Sequence, residues 1–336
     1  MKLNTISRYL RILYHWRLKN SLTPPYLPED ISIEATNVCN FRCSFCPQSD
    51  PKHHELVPRT YLDPQKAREI FRALRRDGVT SSTVHWTLDG EPFMNKQFYA
   101  LCSAAIDFGF INMHFATNGM LVTDRSVRQL PAGKNVHYTF AIDYASDPDY
   151  FERVRGTVGS WGKIKENIEA ILEQDRRDIT VKLTDISTYE FDDRVELERR
   201  FRDLKALFPS APGRLSFETR TFHNAAGLVS KLVGKQKSRK YHLCPYPWTS
   251  LVIASNGDAV ACCRDLRRQT VLGNVIEQGL SAVWTGPAYR KLRKALVEKR
   301  PEDMTACNGC DLPYDESKFS YANILRTLTN RLQVFQ

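Results

Sequence analysis

Six short runs of alternating apolar and polar residues recur along the chain, and each of the five intervals between them holds a longer stretch in which apolar residues return every three or four positions. The alternating runs are ISIEA at 31–35, STVHWTL at 82–88, INMHFAT at 111–117, NVHYTFAI at 135–142, DITVKLTDI at 178–186 and RLSFET at 214–219. Alternation of this kind predicts strands, and the intervening segments 62–78, 94–109, 123–130, 161–177 and 193–208 predict helices. The first helix has Asp63 as a cap, Pro64 in its first turn and Gly78 as a stop. In the helix over 161–177, Ile164, Ile168, Ile171 and Leu172 share one face. Strands alternating with helices imply a parallel sheet with right-handed crossovers. The expected fold is therefore α/β, a partial (β/α)6 TIM-like barrel, with chemistry at the C-terminal strand ends.

The pattern changes after a basic stretch, KLVGKQKSRK at 231–240. Ser255-Asn256-Gly257-Asp258 reads as a hairpin turn between VIA and AVA, followed by a helical segment ending near Leu296. The expected division is a basic segment over 1–29, the barrel over 30–228, a linker over 229–243, a small hairpin-plus-helix domain over 244–315 and a C-terminal helix over 316–336.

With 336 residues, 42% of them hydrophobic, the chain is long enough for a real core. Its nine cysteines are odd in number and clustered, which argues for a reducing compartment and metal ligation over a disulfide framework. The first twenty residues interrupt their apolar positions with Arg, His and Lys, so they read as neither a signal peptide nor a spanning helix, and the cytoplasm is the expected compartment. Residues 5–19 form an amphipathic pattern with Tyr9, Leu10, Leu13 and Trp16 on one side, a face expected to pack on the barrel more than on a membrane surface. The net charge of +10 suits an anionic substrate, an acidic electron donor or a polyanionic surface. A contiguous basic stripe interleaved with aromatics is lacking in the linear sequence, so nucleic acid is not an expected partner.

Three of the cysteines, Cys39, Cys43 and Cys46, stand in a C-x3-C-x2-C pattern directly after the first strand, with Phe45 beside the third. Four cysteines close a 4Fe-4S cubane, so three leave one iron open for chemistry. Structural zinc takes four ligands at other spacings. The stretch resembles the motif of the radical S-adenosylmethionine (radical SAM) enzymes. The resemblance implies that the open iron chelates the amino and carboxylate groups of SAM and that a 5′-deoxyadenosyl radical abstracts hydrogen from substrate, an electron coming from a donor such as flavodoxin or ferredoxin. Asp89-Gly90-Glu91-Pro92 is similar to the family's G-G-E-P turn at the SAM amino group, with Asp89 in place of the first glycine. Thr117-Asn118-Gly119 resembles a turn near SAM. Ala141-Ile142-Asp143 resembles a segment reaching the ribose, and Arg155-Gly156 an arginine that pairs with the SAM carboxylate.

Cys244, Cys262, Cys307 and Cys310 form a second set, which by count alone also suits zinc. The segment resembles the SPASM and shorter twitch extensions of the same family, implying one auxiliary 4Fe-4S cluster on these four residues. Cys102 reads as a core residue. Cys263, next to a ligand, is a candidate hydrogen donor to a substrate radical. Arg220, His223 and Asn224, at and beyond the sixth strand, are candidate substrate contacts. His85 and Trp86 fall inside a strand and read as core or supporting residues. The expected function is hydrogen abstraction from a small polar molecule, such as a sugar, aminocyclitol or activated sugar, giving dehydrogenation or epimerisation. A peptide-modifying maturase and an iron–sulfur carrier or sensor without SAM chemistry are the alternatives.

Overall fold

The computed structural model describes residues 10–143, 146–185, 194–208, 213–219, 223–229 and 240–315. Tyr9, Arg220, most of the basic stretch at 231–240 and the C-terminal helix expected over 316–336 lie outside the described residues. Within them, nine strands form one sheet in the order β6-β5-β4-β3-β2-β1-β7-β8-β9. The six expected strands are β1 (Asp30–Ile33), β2 (Thr83–Trp86), β3 (Asn112–Thr117), β4 (Asn135–Ala141), β5 (Ile179–Asp185) and β6 (Leu215–Thr219), each parallel to its neighbour.

The C-terminal strands continue this sheet. β7 (Ser250–Ile253) runs parallel to β1 on its other edge, with Ile31 opposite Leu251 and Ile33 opposite Ile253. The expected hairpin joins β7 to β8 (Asp258–Val260), and β9 (Val271–Asn274) adds a strand that the sequence pattern did not reveal. Another unexpected element is the Pro148–Arg155 helix, capped by Asp147 accepting from the Tyr150 amide and stopped by Gly156 in the left-handed region. It is only two turns long, too short for periodicity to stand out.

Strand residues alternate between two environments. Val84, Trp86, Met113, Phe115, Val136, Tyr138, Phe140, Val181 and Leu183 are buried and belong to the main apolar core. Helix Pro64–Arg76 supplies Ala67, Ile70, Phe71, Ala73 and Leu74 to that core. The intervening positions, including His85, His114, His137, Thr139, Lys182 and Glu218, are only partly covered and point to the barrel interior. Burying them in the helix-side core would cost the desolvation of each polar group, so the alternation fixes which face becomes the lumen.

The N-terminal segment is strapped beneath the C-terminal part. Trp248 Nε1 donates to Ser21 O at 2.7 Å, Trp284 Nε1 to Tyr26 O at 2.8 Å, and the fully buried Arg293 to Leu22 O at 2.9 Å. Trp16 is buried and Leu13 packs on the core as expected, but Leu10 is 59% exposed. The helix widens into a π-turn over Tyr14–Leu18, which rotates the predicted face. Among the described residues no helix is long and apolar enough to cross a membrane.

Candidate active site

The cysteine loop follows β1 and is clamped by two other loops. Glu91 N donates to Val38 O at 2.9 Å, and Ser44 N to Val154 O at 2.8 Å. Gly90 and Gly156 make this approach possible. A Cβ on Gly90 would lie 2.4 Å from Thr36 O, and one on Gly156 would lie 2.3 Å from Arg42 O; both residues have positive φ. The glycine of the Gly90-Glu91-Pro92 turn thus lets the protein's own loops close on each other.

Around the three thiols the chain places hydrogen-bond donors. Phe41 N lies 3.4 Å and Asn118 Nδ2 3.9 Å from Cys39 Sγ, and Arg155 Nη1 lies 3.6 Å from Cys43 Sγ. Burial, with Glu91 and Cys43 nearby, pushes the Cys39 thiol up to about 12, and burial with the neighbouring Cys43 and Asp89 raises Cys46 as well. Thiols that resist ionisation alone, yet face amide and guanidinium donors, fit a site that a metal cluster completes. Among the described residues no three His, Cys, Asp or Glu side chains converge at the spacing of a single ion. A cubane takes its thiolates on separate irons.

Glu91 is buried and accepts from Asn118 N at 2.8 Å, Thr117 Oγ1 at 2.9 Å and Phe93 N at 3.3 Å. Burial nevertheless raises it to about 7. Asp143 and Arg155, read separately from the sequence, form one buried ion pair at 2.5 Å, with the Phe45 ring 5.1 Å from the guanidinium. Pro92 is buried at the start of a short 3-10 turn. Asp89, where the resemblance had a glycine, accepts from Gln48 Nε2 at 2.8 Å and pairs with His53 Nε2 at 2.7 Å. Gln48 and His53 were missed; their only trace in the sequence is their nearness to the cysteine loop.

The second cysteine set is brought together from distant segments. Burial raises the thiols of Cys244, Cys262, Cys307 and Cys310, and the sulfurs add to one another: Cys310 acts on Cys244, Cys262 and Cys307. Arg264, also missed, donates from its backbone to Cys262 Sγ at 3.4 Å, approaches Cys310 Sγ at 3.9 Å and pairs with Asp311. Asn224 is 3% exposed and binds this module. Its Nδ2 donates to Gly309 O at 2.7 Å and its backbone to Asp311 Oδ2 at 3.0 Å, so it clamps the Cys307–Cys310 loop to the barrel. His223 Nδ1 accepts from Ala225 N at 3.1 Å in the same turn. Cys263 lies beside Tyr246 and near Asp30. Cys102 is fully buried in the core.

The family model of the radical SAM superfamily matches residues 33–201. The chain belongs to the radical SAM superfamily. A second model, the SPASM iron–sulfur cluster-binding domain, matches residues 244–311. This radical SAM protein therefore works with SAM, a SAM-binding 4Fe-4S cluster and auxiliary iron–sulfur chemistry. It is 22% identical over 229 residues to a "Probable GTP 3′,8-cyclase" of Saccharolobus islandicus, covering 65% of this chain and 70% of that one. It is 28% identical over 148 residues to the sporulation killing factor maturation protein SkfB of Bacillus subtilis, covering 44% and 34%. To the S-adenosyl-L-methionine-dependent 2-deoxy-scyllo-inosamine dehydrogenase of Niallia circulans it is 24% identical over 102 residues, covering 30% and 40%. Two solved structures share the fold. BtrN in complex with AdoMet and 2-DOIA has a TM-score of 0.55 at 15% identity, covering 85% of this chain and 93% of that one. Streptococcus suis SuiB bound to S-adenosylmethionine has a TM-score of 0.56 at 18% identity, covering 80% and 68%.

Proposed function

We propose that this radical SAM enzyme oxidises a small polar molecule, a sugar, an aminocyclitol or an activated sugar, by removing a hydrogen atom from carbon and then an electron. In this reading Cys39, Cys43 and Cys46 hold the SAM-binding cluster. Gly90, Glu91, Pro92, Asn118, Asp143, Arg155 and Phe45 shape the SAM site. Cys244, Cys262, Cys307 and Cys310 hold one auxiliary 4Fe-4S cluster. When bound, these groups supply a hydrogen-abstracting radical and an electron acceptor, with flavodoxin or ferredoxin as electron donor.

The chain's own residues set the conditions. Phe45 and the buried Asp143–Arg155 pair exclude water from one side of the cysteine loop. Asn118 Nδ2 also donates to Asn40 Oδ1 at 2.8 Å, which ties the third strand's turn to that loop.

The observation that carries the reading is the gathering of four thiols, two of which, Cys262 and Cys310, meet Arg264. Four protein thiolates ligate all four irons of a cubane, so such a cluster has no open iron for substrate and serves as an electron acceptor. The polar lumen and the +10 charge support a polar, even phosphorylated, substrate. The dehydrogenase among the relatives supports an aminocyclitol. A second reading, epimerisation, rests on Cys263: a thiol beside Tyr246, one residue from the cage, suits return of a hydrogen atom.

The test is anaerobic reconstitution, iron counting, and SAM cleavage with 2-deoxy-scyllo-inosamine, GTP or a cysteine-containing peptide as trial substrates. About eight irons per chain, two cubanes, is expected, with 5′-deoxyadenosine and a two-electron-oxidised cyclitol. A deuterium from D2O on the substrate carbon without net oxidation would favour epimerisation. Turnover of GTP or the peptide alone would replace the proposal.

A further inference from the structure

The inner face of the sheet carries a group of residues that no cofactor contact uses. His85, His114 and His137 occupy one register level on β2, β3 and β4. Their rings stack in sequence with centroids 4.5 Å apart, at 23° and 19° between planes. Parallel strands lie about 4.8 Å apart, so equal residues at equal register are brought to stacking distance by the topology itself. At one end Asp30 Oδ1 lies 3.1 Å from His85 Nε2, and Ser250 Oγ donates to Asp30 Oδ2 at 3.1 Å. At the other, His137 Nδ1 lies 2.6 Å from Thr180 Oγ1, near Lys182, which is itself 3.5 Å from Glu218.

Two residues farther along each strand, toward the SAM loops, the same face carries small side chains. Ala116 on β3 is exposed, Thr139 stands opposite it on β4, and Ala141 follows. Only small side chains therefore stand on this face of β3 and β4 between the imidazole level and the turns that carry Asn118 and Asp143.

We propose that the imidazole ladder is the floor of the substrate site and that His85 Nδ1 accepts the proton of the hydroxyl whose carbon loses its hydrogen atom. This rests on the dehydrogenation reading above. Asp30 holds a proton on Nε2, fixes the tautomer, leaves the Nδ1 lone pair as acceptor, and stabilises the imidazolium that forms. His114 serves differently. Burial and its two ring neighbours push it down to about 2, so it stays neutral and offers hydrogen-bonding edges only. Burial and then Lys182 lower His137 also. Stacked rings point their N–H groups sideways, not at each other, so the charge that His85 takes up stays on the ring that Asp30 faces through Nε2. The step balances as follows. The substrate carbon gives up one hydrogen atom to the SAM-derived radical and the hydroxyl gives its proton to Nδ1. One electron passes to an iron–sulfur acceptor, and the C–O bond becomes C=O.

The experiment uses reconstituted holoenzyme with SAM and 2-deoxy-scyllo-inosamine as the probe, with iron content measured for every variant. Formation of oxidised product should fall about 100-fold or more in His85→Gln, the range for loss of a general base. It should recover in part when imidazole is added to His85→Ala. Asp30→Asn should shift the acid limb of the pH profile, and His114→Ala should weaken calorimetric binding of the probe about tenfold. Product formation in His85→Gln within threefold of the parent, with unchanged binding in His114→Ala, would overturn the inference and leave the oxidation reading standing. Absence of oxidised product from the parent itself would overturn both.

Discussion

The two cysteine sites reach similar ends by opposite routes. The first takes its three thiols from one loop of eight residues, 39–46, and is clamped by backbone contacts to the Gly90 and Gly156 turns. The second gathers Cys244, Cys262, Cys307 and Cys310 across the C-terminal third, and side chains hold it: Asn224 on Gly309 and Asp311, Arg264 on Asp311. The first should therefore fail when atoms are added to its backbone, the second when polar side chains are removed.

The largest separation of the two comes from Cys43→Ser. It should abolish SAM cleavage and leave about four irons, one cubane, on the second site; full iron content with active cleavage would deny Cys43 its ligand role. Next is Gly156→Ala. Its Cβ would meet Arg42 O at 2.3 Å and its φ is +61, so the loop must shift. The cost of the strained backbone alone is about 1–2 kcal/mol. Iron loss should be confined to the first site, as read by electron paramagnetic resonance of the reduced protein. Arg264→Ala should do the reverse, broadening or removing the second cluster's signal while 5′-deoxyadenosine formation without substrate persists.

The smallest effect is on pH dependence, measured by denaturant unfolding of the cluster-free protein. Glu91 is raised in the fold from an ordinary carboxyl value to about 7, chiefly by burial. Its protonated form is the favoured one in the folded state, so its contribution is fully present below the ordinary carboxyl range and is lost as pH rises through about 7. Glu91→Gln should flatten stability between pH 5 and 7.5, and an unchanged slope would show that Glu91 ionises normally.

Much of the architecture was legible because it depends on local periodicity. The alternation in INMHFAT and NVHYTFAI set both the strands and the buried face, and Asp63-Pro64 with Gly78 bounded a helix where the structure has one over Pro64–Arg76. The cysteine spacings were legible for the same reason, since ligands within one loop leave a fixed count between them. Less legible were residues whose roles exist only after folding. Asn224 was read as a substrate contact but clamps the Cys307–Cys310 loop, because the residues it meets are 85 and 87 positions away. His85 was read as a core or supporting residue, and nothing in the linear sequence aligns it with His114 and His137.

By itself, then, the sequence determined the parallel α/β alternation, the three-cysteine loop and the presence of a second cysteine set. All of these follow from short-range spacing and the cost of burying polar groups. Only the tertiary structure decided that β7 extends the barrel sheet beside β1. It alone paired Asp143 with Arg155 and brought three histidines into one stacked row on the lumen face. Strand order and register are set by packing of the whole sheet, and a side chain's partner across strands is fixed only when that packing is complete.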